Sequence, residues 1–216
     1  MATESVIPGD RPTLAESAVR RRTGELQQSA RSDVQALMDA GLALMLADGG
    51  RRAPRVADIV AAAGLSNDSF YRYFAGKGAL VEAIVEQGAR TVVSYVRHCM
   101  AAAGDPEDRV RAGISAVMRQ ASDSGLAAQT RMVLANATGM PSSSRHVSVG
   151  LVDALTELFA GSIAECGVAD PERVARTLSA AVVGVMQDHL FRASAPDDED
   201  IARLARFALA EAESHS

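Results

Sequence analysis

The stretch AGLSNDSFYRYF, residues 63–74, decides how this chain is read. It holds Phe70, Tyr71, Tyr73 and Phe74, four aromatic residues in a protein with only 3 Tyr, 5 Phe and no Trp. Upstream, Val56, Ile59, Val60 and Ala63 make a short apolar helical face that Gly64 ends. Ser66 is placed to cap the free amides of a second short helix. Leu65 before that cap and Phe70 four positions after it have the spacing of a hydrophobic staple. Phe70 and Phe74, four apart, share a face and are expected to pack inward. A short helix, a tight turn at 63–65 and a second short helix make a helix-turn-helix. The spacing alone also suits an ordinary helical hairpin whose aromatics are all core.

Outward from this stretch, apolar residues keep helical spacing and strand signals are weak. Val34, Leu37, Gly41, Leu44 and Met45 form one stripe of a helix from about Thr13 to Ala47, which Asp48-Gly49-Gly50 stops. Downstream, helices are expected at about 77–103, 106–122, 125–137, 147–166, 171–193 and 198–213. A polar loop, GMPSSSRH, is expected before residue 147. The fold class is all-α, about nine helices. We divide it into a flexible or partly helical basic arm at 1–28, a three-helix helix-turn-helix unit at 29–76, and a larger helical domain at 77–216.

The net charge is -5, which argues against a generally basic nucleic-acid coat. The charge is uneven: residues 1–80 carry 10 Arg/Lys and 9 Asp/Glu, against 12 and 18 in residues 81–216. That asymmetry is compatible with a local DNA contact. Cys99 and Cys166 have no metal-ligand spacing, and two half-buried thiols in a reducing compartment are expected. No signal pattern and no membrane-length apolar run is present, so a soluble, cytoplasmic protein that does not contact membranes is expected. No cofactor or metal is expected.

Residues 56–85, VADIVAAAGLSNDSFYRYFAGKGALVEAIV, resemble the N-terminal DNA-binding domain of the TetR family of bacterial transcriptional regulators. The matching positions are Ile59, Ala63, Gly64, Leu65, Ser66, Phe70, Tyr71, Phe74, Lys77 and Leu80, and the likeness covers about residues 32–85. It implies operator DNA as a partner. Asn67, Asp68 and Ser69 would meet base edges from the first turn of the second short helix, with Ser66 at its start. Arg55, Tyr71, Arg72, Tyr73 and Lys77 would reach the phosphate backbone. Arg55 departs from the family pattern, which has a capping Thr or Ser there. Asp68 is either a helix-start acid favoured by the dipole or an acceptor from a cytosine amino group. Arg20, Arg21 and Arg22 either extend the DNA contact or form a solvated face.

The resemblance further implies a homodimer and a ligand cavity. Two apolar stripes on the helix at 171–193 suit burial on two sides, such as a core and a partner, and the resemblance pairs this helix and the last one with their copies. The interface candidates are Leu178, Val182, Val185, His189, Ile201, Leu204 and Ala208. A largely apolar small molecule would lie among Tyr95, Cys99, Met118, Met132, Asn136 and Met186, with Gln120, Arg131 and His146 as sources of polar contacts. These features together give a ligand-responsive, DNA-binding transcriptional regulator, a repressor by resemblance. The alternative is a small-molecule- or partner-binding helical protein that has lost DNA binding. An enzyme is not expected: phosphate loops and nucleophile motifs are absent, and adjacent Asp188 and His189 point apart on a helix.

Overall fold

A computed structural model describes residues 13–47, 54–137 and 141–210, without the side chains of residues 136–137 and 141–148. The expected arm at 1–12 and the glycine stop at 48–50 lie outside the described residues. Nine helices are described: α1 (Leu14–Ala47), α2 (Val56–Ala63), α3 (Asn67–Tyr73), α4 (Lys77–Ala102), α5 (Pro106–Ser122), α6 (Ser124–Ala137), α7 (Pro141–Glu165), α8 (Pro171–Arg192) and α9 (Asp198–Leu209). There is no strand among the described residues. One boundary differs from the sequence reading. The segment 141–146, expected as loop, is the first turn and a half of α7. Its leading proline suits a first helical position, where no backbone donor is needed.

Local chemistry sets the ends of these helices. Asp105, Asp170 and Asp197 each accept from the third amide of the helix that follows, and α5 and α8 both begin with proline. Asp197 and Asp200 form a reciprocal capping box at α9.

Two hydrophobic cores result. The first joins α1, α2, α3 and the start of α4 through Leu37, Met45, Ile59, Phe70, Phe74, Leu80 and Ile84. The second joins the later helices through Val96, Ile114, Val117, Leu155, Phe159, Leu178, Val182 and Leu190. Helix α4 belongs to both: Leu80, Val81, Ile84 and Val85 enter the first, Val96 and Met100 the second. Between Val85 and Val96 no side chain of α4 is fully buried, though Val92 and Tyr95 pack against the second core. Helix α6 is a second bridge, with Ala127 buried in the later core and Val133 packed against the first.

At Gly113, α5 runs against α7 with no room for a side chain. A Cβ there would stand 2.5 Å from Cε1 of Phe159, whose ring is fully buried, and 3.0 Å from the sulfur of Met100. Gly161, exposed on α7, has open space at the same test. Gly113→Ala is therefore expected to destabilise the chain by about 1–3 kcal/mol through overpacking. Gly161→Ala should instead stabilise it by about 0.5–1 kcal/mol through helix propensity. Urea denaturation of both variants checks the opposite signs.

Candidate nucleic-acid interface and ligand cavity

The recognition unit is built from its turn outward. Gly64 adopts φ 68°, the left-handed conformation that glycine tolerates. Its amide donates to the Ala61 carbonyl, and the Leu65 amide donates to that of Val60 at 2.9 Å, closing α2 with a Schellman motif. Ser66 then starts α3, its Oγ accepting from the Ser69 amide at 3.1 Å and sharing a 3.0 Å hydrogen bond with Ser69 Oγ. Arg55, at the start of α2, makes no such cap, as its side chain requires.

The four aromatics divide between core and surface. Phe70 is fully buried, and Phe74 lies against it with ring centroids 5.7 Å apart. Tyr71 meets Phe70 edge-on at 5.3 Å yet is 60% exposed, which leaves its hydroxyl in solvent. Tyr73 differs from the sequence reading. It is half-buried, and its hydroxyl donates to Asp33 Oδ2 on α1 at 3.0 Å. That hydroxyl is therefore used inside the protein, fixing α3 on α1, instead of standing free for a phosphate. Arg55, Ser66, Asn67, Asp68, Arg72 and Lys77 are exposed, and Ser69 is half-buried. The exposed surface of α3 thus offers small polar groups in its first turn and cationic or hydroxyl groups beside them.

Helix α1 continues beyond this unit. Residues 14–29 are all exposed, Arg20, Arg21 and Arg22 included, and Arg22 pairs with Glu25 at 3.6 Å.

A cavity of about 460 Å³ opens where α4 leaves one core for the other. Met38 and Leu42 of α1, Ile84 and Val92 of α4, Val133 and Leu134 of α6, Leu151 of α7 and Met186 of α8 give it apolar walls. Of the residues expected there, Tyr95 and Met186 line it, as does Gln120. Met118 is packed within the core of the body, and Cys99 packs against that core without lining the cavity. Met132 is half-buried and off the wall, and the side chains of Asn136 and His146 lie outside the description. Sequence reasoning missed Arg119, Gln129, Thr130 and Gln187. Their apolar neighbours on α5, α6 and α8 were visible, but the face turned to the cavity was not. Arg119 donates to the Tyr95 hydroxyl at 2.6 Å, and this bond raises its pKa further. Cys99 and Cys166 are both free and half-buried, and burial pushes the Cys166 thiol up.

The expected dimer residues separate into two groups. Leu178, Val182 and Ala208 are buried in the chain's own core, so they cannot form an outer face. Val185, Ile201 and Leu204 are half-buried at its edge. His189 ties the α8–α9 corner together, with Nδ1 2.9 Å from Ser194 Oγ and Nε2 3.1 Å from Asp200 Oδ2. The order serine–histidine–aspartate is that of a hydrolase triad. Here Asp200 already accepts from the Asp197 amide, and none of the three lines the cavity. The outward face of α8 instead carries Thr177, Ala180, Gly184 and Phe191, with Phe207 on α9. Phe191 is 91% exposed and Phe207 50% exposed.

Residues 37–84 match the family model described as bacterial regulatory proteins, tetR family. No curated protein matches the chain in sequence. Among solved structures, the chain is similar to the fatty acid degradation regulator FadR from Bacillus halodurans, at 19% identity and a TM-score of 0.58 over 81% of this chain and 97% of that one. It is similar to reduced NemR from E. coli, at 17% identity and a TM-score of 0.58 over 83% and 97%. A TetR-family transcriptional regulator from Streptomyces coelicolor aligns at 18% identity and a TM-score of 0.56 over 88% and 92%. At these identities the three structures establish a shared fold.

The internal contacts of α3 predict a graded set of stability losses. Phe70→Ala should cost about 3–5 kcal/mol, and Ser66→Ala about 1 kcal/mol through the lost cap. Tyr73→Phe should cost about 1–2 kcal/mol, because Asp33 loses its donor. Tyr71→Phe should change stability by less than about 0.5 kcal/mol. Equilibrium denaturation read by circular dichroism ranks the four.

Proposed function

We propose that this chain, a member of the tetR family of bacterial regulatory proteins by its N-terminal domain, is a homodimeric cytoplasmic repressor that a small molecule releases from operator DNA. The observation that carries this reading is the position of the 460 Å³ cavity. Its walls include Met38 and Leu42 of α1 and Ile84 and Val85 of α4. Met38, Ile84 and Val85 are buried in the core that seats α3, and Leu42 packs against it. A ligand that prefers one spacing of α1 and α4 therefore prefers one placement of the recognition helix. Differential affinity for two placements is what a ligand needs to shift DNA binding.

Asn67, Asp68 and Ser69 are the candidates for base contacts, with Ser66 at the start of α3. Arg55, Tyr71, Arg72 and Lys77 are the candidates for phosphate contacts. Pairing two copies through α8 and α9 would present two recognition helices to successive major grooves, about 34–36 Å apart. Ala180 and Gly184 would let the two α8 helices approach closely, and Phe191 and Phe207 would supply apolar area now in solvent. The uncapped Arg55 and the acidic Asp68 favour a second reading, a helical sensor without DNA binding.

Titration of purified protein against the DNA upstream of its own gene, at two salt concentrations and with random DNA as competitor, separates the readings. The repressor predicts tight, competitor-resistant, salt-sensitive binding; the sensor predicts none. Tyr71→Phe and Lys77→Ala should weaken binding to every sequence, and Lys77→Ala should reduce the salt slope by about 1. Asn67→Ala should change sequence preference with little effect on that slope. Phe191→Asp should shift the sedimenting species from dimer to monomer and abolish tight operator binding.

A further inference from the structure

The cavity has one cationic side chain in its lining, Arg119, which is half exposed to solvent. Arg119 reaches the cavity from α5 with its guanidinium 5.2 Å from the ring centroid of Tyr95 and its Nη1 bonded to the Tyr95 hydroxyl. Stacking and hydrogen bond together hold the guanidinium plane. The acid nearest to it in the chain, Asp123, stands 3.9 Å from Nη2. This is a long ion pair through Asp123 Oδ2, while Asp123 Oδ1 accepts from the amides of Gly125 and Leu126 at the start of α6. A guanidinium has five N–H donors in a planar fork, and the bond to Tyr95 with the long pair to Asp123 leaves donors for another acceptor. Gln120, Gln129 and Thr130 line the same α5–α6 side with neutral polar groups. The remaining charge in the lining is Asp39 on α1, which is exposed and already accepts from Gln35 at 2.8 Å.

We propose that the cavity takes an amphipathic monoanion, with a carboxylate on the Arg119 fork and an apolar body along Ile84, Val133, Leu134 and Met186. This rests on reading the cavity as the effector site. A planar carboxylate accepts two parallel N–H bonds from a guanidinium, which a hydroxyl cannot do and an ammonium opposes. Tyr95 is a positioning residue in this scheme: it holds the fork and makes no claim on the ligand.

Three probes with one apolar body decide the matter: decanoate, decanol and decylamine, each titrated calorimetrically into the full-length protein below its micelle concentration. Decanoate should bind about tenfold more tightly than decanol, and decylamine should bind most weakly. In Arg119→Gln the decanoate preference should vanish while decanol affinity stays unchanged. In Tyr95→Phe the preference should shrink several-fold with decanol again unchanged, a signature that mere loss of packing would not give. Equal affinities for decanoate and decanol overturn the proposal, as does failure of all three to bind. A preference for decanoate that survives Arg119→Gln overturns it too, and tightest binding by decylamine would move recognition to Asp39. Operator binding is measured in the same samples. Decanoate bound through Arg119 without DNA release leaves the anion site standing and removes the effector reading. Release by a neutral or cationic compound, with decanoate inert, does the reverse.

Discussion

Everything in this molecule depends on α4 serving two cores at once. Its first turns complete the core around Phe70, and its later turns enter the core around Phe159. A helix 26 residues long spans about 39 Å, so the two cores are connected by a rod instead of a flexible chain. Each core is close-packed and resists continuous deformation. The cavity lies along the length of α4 where it passes from one core to the other, with Ile84 and Val85 in the first and Val92 and Tyr95 packed on the second.

The seating of α3 illustrates how much weaker contacts add to that frame. A seven-residue helix cannot hold itself in water. Phe70 anchors it from below, the Ser66 cap fixes its start, and the Tyr73–Asp33 hydrogen bond pins its end to α1. With three points fixed, the exposed face of α3 has one orientation, and its small polar residues are presented by a rigid support.

The helix-turn-helix was legible in residues 56–74 because its determinants are local. Glycine at the turn, serine at the cap and the spacing of Leu65, Phe70 and Phe74 act over one or two helical turns. Contacts across the fold were not legible to the same degree. Nothing near Tyr73 in sequence announces that Asp33, forty positions earlier, stands opposite its hydroxyl. On α8, residues from both apolar stripes are expected from sequence to face a partner. The chain buries one of each for itself, since Leu178 and Val182 have no exposed surface. The outward face includes Thr177, Ala180 and Gly184, whose lack of bulk reads as unremarkable in a sequence, beside charged residues and the exposed Phe191. For the cavity, residue type misled in the other direction. Met118 is a gap-filler of the core, whereas the polar Gln129 and Thr130 reach the wall, because rotation of α5 and α6 about their axes is set by packing that no single helix encodes.

Residues 14–29 of α1 have a different kind of support. No buried side chain holds them, yet they are helical. The packed half of α1 supplies the nucleus, so the outer turns need only propagate from it, one hydrogen bond per residue fixed. A reciprocal cap between Thr13 and Glu16 closes its start, but without buried contacts its turns have less to resist local opening than those near Leu37. The chain thus carries a gradient of stability along a single helix, from outer turns held by backbone bonds and a cap to inner turns that share the core around Phe70.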